Sequence, residues 1–283
     1  MAEQYAYLTG GASGIGKAVA EMLVKNNIKV FIADRDSDGA QNLADELNKN
    51  NNGAVASSAH VDVANWNSQA KAFSQAVADF GRIDYVYPIA GVGERPWLVN
   101  DPSQSGFSMP DLSVLDIDLT GVLYTVSLAI QQFRKQKQGE HGFRGKIVTV
   151  ASICGIYAVP TVPVYTAAKH GIVGFTRSYG AHLPTEKITL NAVCPNIVRT
   201  GISTEAFYDL AEKQNLLAPI EGVVETFEKL LGPNPTSGEC FEIGPNYKKT
   251  GAAPRKQPEY LDPETETSCD LIYQRSLKLH QPR

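Results

Sequence analysis

The chain has 283 residues, a formal net charge of -4 and ordinary shares of apolar (43%) and charged (20%) residues. That length suits one large α/β domain or two small ones, with a substantial core, and the mild acidity excludes a nucleic-acid or anionic-membrane binder driven by basic charge. The four cysteines, Cys154, Cys194, Cys240 and Cys269, form no CxxC pair and no zinc spacing, so no metal site is expected and three of them read as buried thiols.

Short β-rich runs alternate with helical ones. Tyr5–Leu8 reads as a strand, Gly14–Asn26 as a helix, Lys29–Ala33 as a strand, and Ser37–Asn50 as a helix with Ser37 and Asp38 as cap candidates. Ala54–His60 is a third strand, Asn65–Phe80 a helix and Ile83–Ile89 a fourth strand. A long helix over Asp111–Lys137 precedes a strand at Lys146–Val150, and a second one over Val164–His182 precedes a strand at Ile188–Val193. Val223–Leu231 is helical and Cys240–Ile243 is a last strand. This alternation predicts a Rossmann-type, doubly wound parallel sheet of about seven strands with helices on both faces, carried by one domain over residues 1–245. The polar stretch Gly93–Pro110 reads as a loop. The proline-rich residues 246–283 read as an extended or partly ordered tail, with a short helix near Ser268–Leu279. The opening MAEQYAYLTG has neither a basic stretch nor an apolar one, and no run reaches the eighteen or so apolar residues that span a bilayer. A cytoplasmic protein without membrane or nucleic-acid partners is the expectation.

The first strand enters Thr9-Gly-Gly-Ala-Ser-Gly-Ile-Gly16 and then a helix. Glycines at 10, 14 and 16 let a pyrophosphate approach the helix N-terminus, where free N–H groups and the dipole favour anions. The cradle is Gly10, Ser13, Gly14, Ile15 and Gly16. Asp34 closes the second strand, 18 residues beyond Gly16, where a carboxylate binds ribose hydroxyls and repels a 2′-phosphate. NAD is therefore favoured over NADP, with Arg35 as the counterweight. Tyr165 and Lys169 are four apart on one helical face, so the ammonium favours the phenolate and is expected to lower the phenol's pKa. Ser152, just past the fifth strand, can bind a substrate oxygen.

In this order the motifs resemble the short-chain dehydrogenase/reductase family, in its single-domain branch, over roughly residues 5 to 245. The resemblance rests on TGGASGIG at 9–16, Asp34, Asp62-Val63, Ala90-Gly91, Ser152 placed 13 residues before Tyr165, YTAAK at 165–169, and Pro195 through Thr200. It implies that Tyr165 is the acid/base, that Lys169 lowers its pKa and binds the nicotinamide ribose, and that Ser152 orients the carbonyl oxygen. It further implies that Asp62 and Val63 meet the adenine, that Ala90 and Gly91 line the cofactor site, and that Pro195, Val198 and Thr200 lie at the nicotinamide end. The implied reaction is the NAD-linked interconversion of a secondary alcohol and a ketone, by a homodimer or homotetramer paired through the two long helices. Small residues there, Ala167, Ala168, Gly171, Gly174 and Gly180, suit close helix packing. Within the family, the runs at 115–130 and 230–247 resemble fungal secondary-metabolite dehydrogenases and 15-hydroxyprostaglandin dehydrogenase-like members.

Several positions depart from the family pattern. Asp118 stands where the family has the asparagine of its proton relay, adding a charge near Lys169. Pro88 removes a backbone donor after the fourth strand. Asn196 replaces a glycine, a mild change because asparagine tolerates unusual backbone angles. Val162 replaces the prostaglandin branch's glutamine. These departures leave room for two other readings, an isomerase or cyclase using the same site without net redox, or a weakly active partner of a related subunit. The substrate is expected to be a bulky, mostly apolar small molecule. Its lid would be Gly201–Glu221, with Ile202, Phe207, Tyr208, Leu210, Leu216 and Leu217, faced by Trp97, Leu98 and Phe107.

Overall fold

The computed structural model describes residues 3–51, 53–99 and 101–280, so the last three tail residues lie outside it. Seven strands, β1 (Gln4–Thr9), β2 (Ile28–Asp34), β3 (Ala56–His60), β4 (Tyr85–Pro88), β5 (Gly145–Val150), β6 (Ile188–Pro195) and β7 (Cys240–Ile243), run parallel in the order 3-2-1-4-5-6-7. An eighth, β8 (Ala253–Pro254), adds antiparallel to the edge of β7. The order reverses between β1 and β4, and the loops leaving those two strands open a crevice at their carboxyl ends. β5 and β6 are buried along their whole length, as a strand covered by helices on both faces must be.

Helices α1 (Gly14–Lys25), α2 (Ser37–Asn50) and α3 (Trp66–Phe80) follow the first three strands. The cap of α2 is Asp36, whose carboxylate accepts from Gly39 N at 3.0 Å, rather than Ser37 or Asp38. Asn65 caps α3 through Ser68 N. One residue before Ser37 serves because an Ncap lies outside the helix and must reach inward to N2 or N3.

The helix expected over Asp111–Lys137 has three parts. A short α4 (Ser113–Leu115) passes into a π-helical stretch, Asp116–Gly121, and then α5 (Val122–Lys135). The composite is long and apolar enough to cross a membrane, but Val122, Val126, Ala129, Ile130 and Phe133 are buried, all of them in one core cluster with Ile147 of β5. A π stretch disturbs the i→i+4 ladder and leaves carbonyls in need of donors. Here Gln69, fully buried on α3, donates from Nε2 to Gly121 O at 2.8 Å and to Val63 O at 2.6 Å, and its Oε1 accepts from Thr125 Oγ1. A single amide thus ties the widened turn to the segment after β3.

Beyond β5 lies α6 (Pro163–His182), which opens with proline at its first position, where no N–H is needed. The lid expectation at 201–221 contains a helix, α7 (Glu205–Lys213), capped by Thr204. Then come α8 (Ile220–Lys229), α9 (Tyr247–Thr250) and α10 (Pro263–Ser276). The tail is therefore more ordered than proline content suggested. The edge of β7 offers unpaired backbone groups, and β8 takes them; Arg177 of α6 then donates to the carbonyls of Arg255 and Lys256 at 2.8 and 3.1 Å. α10, by contrast, buries none of its side chains.

Gln69→Leu keeps the volume but removes the amide shared by Val63 O, Gly121 O and the Thr125 hydroxyl, leaving Thr125 only its bond to Gly121 O. It should lower the unfolding free energy by about 2–3 kcal/mol, measured by chemical denaturation.

Candidate active site

The loop between β1 and α1 is shaped by close approach. Gly10 has φ +70°, and a Cβ there would fall 2.6 Å from Ala90 N and Cα; one on Gly16 would fall 2.0 Å from Gly10 O. Neither position accepts a side chain, so the backbone of the loop lies bare. Ser13 stands at the Ncap of α1 without using its side chain there, and the first turn of α1 holds no acidic residue. The positive end of the helix is thus left for an anion. Thr200 packs against Gly14, which brings the segment after β6 over the loop after β1.

Asp34 sits at the end of β2. Its Oδ2 accepts from Ala12 N at 2.9 Å and its Oδ1 from Asp36 N at 2.9 Å, so the carboxylate is fixed at the rim of the glycine loop. The Arg35 side chain is exposed. Asp62 holds the turn after β3 by accepting from Ala64 N, and Val63 is buried beside it. Bare backbone, a free helix N-terminus and a fixed carboxylate at the neighbouring strand end fit a dinucleotide.

Pro88 ends the pairing of β4, and the next two N–H groups turn to Thr9, Ile89 N to its carbonyl at 3.2 Å and Ala90 N to its hydroxyl at 3.4 Å. The missing donor is absorbed and the crevice keeps its wall. Asn196 does not adopt a left-handed conformation; its Oδ1 instead accepts from the Ile197 N–H at 2.8 Å.

Lys169 and Asp118 form the interior of the second half. Both are buried, at 3% and 0% exposure, with Nζ 2.9 Å from Asp118 Oδ2. Lys169 also donates to Val150 O at 3.3 Å, and Asp118 Oδ1 accepts from Val92 N at 2.8 Å. A Cβ on Gly91 would come within 3.1 Å of Asp118 Oδ2, so this glycine makes room for the ion pair. The Lys169 ammonium lies 5.3 Å from the centre of the Tyr165 ring. Ser152, with its Oγ accepting from Cys154 N, stands beside the Tyr165 phenol, where its hydroxyl favours the phenolate. The sequence-predicted set of Ser152, Tyr165, Lys169 and Asp118 is therefore brought together.

The balance of charge differs from the simple expectation. Burial pushes the Tyr165 phenol up; Lys169 pulls it down, Asp118 pushes it up again and Ser152 pulls it down, with a net rise. Burial alone would lower Lys169, but Asp118, aided by Tyr165, holds it above its ordinary value. The lysine lowers the phenol as predicted, yet a buried ring with a carboxylate behind that lysine ends above an ordinary tyrosine.

Glu94 escaped the sequence reading. Its Oε2 accepts from Tyr165 N at 2.7 Å and its Oε1 from Val164 N at 3.4 Å, so a residue of the 89–112 loop ties down the first turn of α6. The loop also holds Asp101 and Asp111, so no sequence signal set Glu94 apart. Beside it lies a cavity of about 340 Å³ walled by Glu94, Arg95, Pro96, Trp97, Leu98, Thr161 and Pro163. Trp97 and Leu98 line it as expected, whereas Phe107 and the 201–221 residues do not. In the lid, Tyr208 is buried with its hydroxyl 3.3 Å from Thr200 Oγ1, while Ile202, Phe207, Leu210 and Leu216 are exposed. Arg199 grips α7 through Glu205, Asp209 and Glu212.

The family model described as short chain dehydrogenase matches residues 4–211. The chain belongs to the short-chain dehydrogenase/reductase family. It is 35% identical over 202 residues to the short-chain dehydrogenase/reductase prx7 of Penicillium rubens, covering 69% of each chain. It is 34% identical over 200 residues to human 15-hydroxyprostaglandin dehydrogenase [NAD(+)], covering 70% of this chain and 69% of the relative. The crystal structure of a 3-ketoacyl-(acyl-carrier-protein) reductase from Brucella melitensis complexed with NADH shares the fold, with a TM-score of 0.72 at 23% identity over 86% of this chain and 97% of that one. Family membership makes the chain an oxidoreductase that uses a nicotinamide cofactor and acts on small molecules.

Glu94 fixes the backbone of Tyr165 and is therefore expected to act as a positioning residue. Glu94→Ala should lower kcat about tenfold or more while leaving NADH affinity unchanged, a loss of alignment, and Glu94→Gln, which keeps one acceptor, should recover most of it. Steady-state kinetics alongside a fluorescence titration checks this.

Proposed function

We propose that the protein is an NAD-linked dehydrogenase/reductase that interconverts a secondary alcohol and a ketone on a bulky, mostly apolar small molecule such as a secondary metabolite, with Tyr165 as the acid/base. The observation that carries this reading is the buried Lys169 ammonium 5.3 Å from the centre of the Tyr165 ring, with Ser152 beside the phenol. In the oxidative direction, R–CHOH–R′ + NAD⁺ gives ketone + NADH + H⁺. The cofactor takes or gives the hydride. Ser152 orients the substrate oxygen, Tyr165 takes the hydroxyl proton or returns it, and Lys169 favours the phenolate. Gly10, Ser13, Gly14, Ile15 and Gly16 would hold the pyrophosphate, Asp34 the adenosine ribose, Asp62 and Val63 the adenine, and Pro195, Val198 and Thr200 the nicotinamide end, with Ala90 and Gly91 forming the wall between.

The choice of NAD rests on Asp34. Its carboxylate is held by two backbone N–H groups at the rim of the loop, where a 2′-phosphate would meet a fixed negative charge. Arg35 points into solvent. The NAD(+) in the human relative's name agrees with this preference. Pairing of copies through α5 and α6 is part of the same proposal. Ala167 and Gly174 lie exposed on α6, whereas Gly171 and Gly180 pack on Leu119 and Gly238 of the same chain.

The test is a fluorescence titration with NADH and with NADPH, followed by turnover of alcohol and ketone panels. NADH should bind at least about tenfold tighter, and Tyr165→Phe should lose about 10²- to 10⁴-fold in kcat with NADH affinity intact. Tighter NADPH binding would overturn the cofactor assignment, and a fully active Tyr165→Phe the acid/base.

Asp118 supplies a second expectation. Its carboxylate raises both Tyr165 and Lys169. Alcohol oxidation needs the phenolate, so its rate climbs as pH passes the phenol's apparent pKa. Asp118→Asn removes the raising charge and should move that climb to lower pH in a kcat/KM profile. An unmoved profile would show that the two groups are not coupled.

A further inference from the structure

The cavity beside the catalytic helix has an unusual wall. Trp97, Leu98, Pro96 and Pro163 give it apolar surface, and Arg95 brings a half-buried guanidinium into it. Among the described residues, no carboxylate forms an ion pair with Arg95. Its one hydrogen bond goes from Nη1 to a neutral hydroxyl, Ser113 Oγ, at 2.8 Å. Ser113 in turn is bonded to Asp111, and that carboxylate feels Arg95 only as its weakest cause of a lowered pKa. Arg199, Arg134, Arg82 and Arg255 all hold carboxylates. Arg144 and Arg177 are spent on backbone carbonyls. Arg95 differs from them in facing a cavity with the rest of its fork unused.

The nearest candidate partner has been turned away. Glu94, adjacent in sequence and lining the same cavity, gives its oxygens to Tyr165 N and Val164 N. That carboxylate already occupies the positive end of α6 and denies the helix terminus to any other anion. A second anion in this cavity would therefore settle at the other wall, on the guanidinium. Arginine's planar fork matches a carboxylate through two parallel N–H bonds.

We infer that the substrate carries a carboxylate on its apolar body, and that Arg95 receives it while Trp97, Leu98 and Pro163 cover the chain. This deepens the proposed alcohol/ketone chemistry and rests on it only for the second half of the test. Calorimetric titration with octanoate and with octanamide, in the presence and absence of saturating NAD⁺, examines the anion site by itself. Octanoate should bind about ten- to a hundredfold tighter than the neutral amide, the range of a charge-assisted hydrogen bond. Arg95→Gln should erase that preference, and Arg95→Lys, which keeps charge but not the fork, should restore only part of it. Equal binding of acid and amide, or a preference that survives in Arg95→Gln, overturns the inference.

Turnover then separates the two readings. With NADH, 7-oxooctanoate should be reduced with a kcat/KM at least tenfold above that of its methyl ester. Arg95→Gln should lower the acid to the level of the ester and leave the ester unchanged. An Arg95-dependent octanoate preference without reduction of either ketone would support the anion site and count against the redox reading. Equal reduction of both ketones, untouched by Arg95→Gln, would leave the redox reading standing and overturn the anion site.

Discussion

The buried pair of Asp118 and Lys169 is the constraint around which the second half of the site is built. Two charges removed from water are costly, and their attraction offsets that cost only when the geometry is good and the remaining donors and acceptors are satisfied. The distance and the backbone partners meet most of this, although Asp118 Oδ2 makes no hydrogen bond beyond its close contact with the ammonium. The ions are 2.9 Å apart, and each has a further partner in the backbone, Val92 N for the carboxylate and Val150 O for the ammonium. The pair thereby joins four segments, the π-helical turn, the loop after β4, the end of β5 and α6. It also explains why position 91 carries no side chain. An asparagine at 118 would keep the bond to Val92 but leave the ammonium without its counter-charge, so the local departure from the family pattern is tied to the placement of Lys169.

Asp118 itself is held by a distortion. It lies in the π-helical turn Asp116–Gly121, whose loosened carbonyl is answered by Gln69 from α3. π turns are often retained at functional sites because they shift a side chain relative to the regular helix on either side. In this chain the strain of the turn is met by one buried amide, which also holds Val63 in the segment assigned to the adenine. The same residue therefore supports both ends of the crevice, although it touches neither reacting group.

Much of the frame was legible in the sequence because its signals are local. The bounds of α2 and β7 match the periodicity directly, and the glycines at 10 and 16 are explained by contacts within one strand-turn-helix unit and with the wall after β4. The Tyr165–Lys169 pair needs only four residues of helix. Gln69 and Glu94 were not legible, since the partners that give each its role, Gly121 and Tyr165, lie 52 and 71 residues away. Nothing in a window around either one distinguishes it from a solvated side chain. α7 was missed because just two of its nine residues are buried, and β8 because a two-residue strand has no period to read. The π turn was hidden for another reason, that its composition differs little from the α-helix continuing it.

The electrostatics of the site follow from where each acidic group has been spent. Asp34 is fixed by backbone donors at the cofactor end, Asp118 by Lys169 in the interior, and Glu94 by the N-terminus of α6. Each carboxylate is thus occupied by a positive partner or by aligned amides, and each fixes the backbone around one catalytic or binding group. The phenol of Tyr165 lies between two of them, with its own first turn held by one and its lysine by the other. Burial raises the phenol, and the lysine's opposing pull limits that rise. That pull depends on distance, so the alignment of α6 set by Glu94 and the position of Lys169 set by Asp118 act on the same quantity from opposite sides. A carboxylate arriving with the substrate would meet a site whose own negative charges are engaged and a cavity in which Arg95 carries no ion pair.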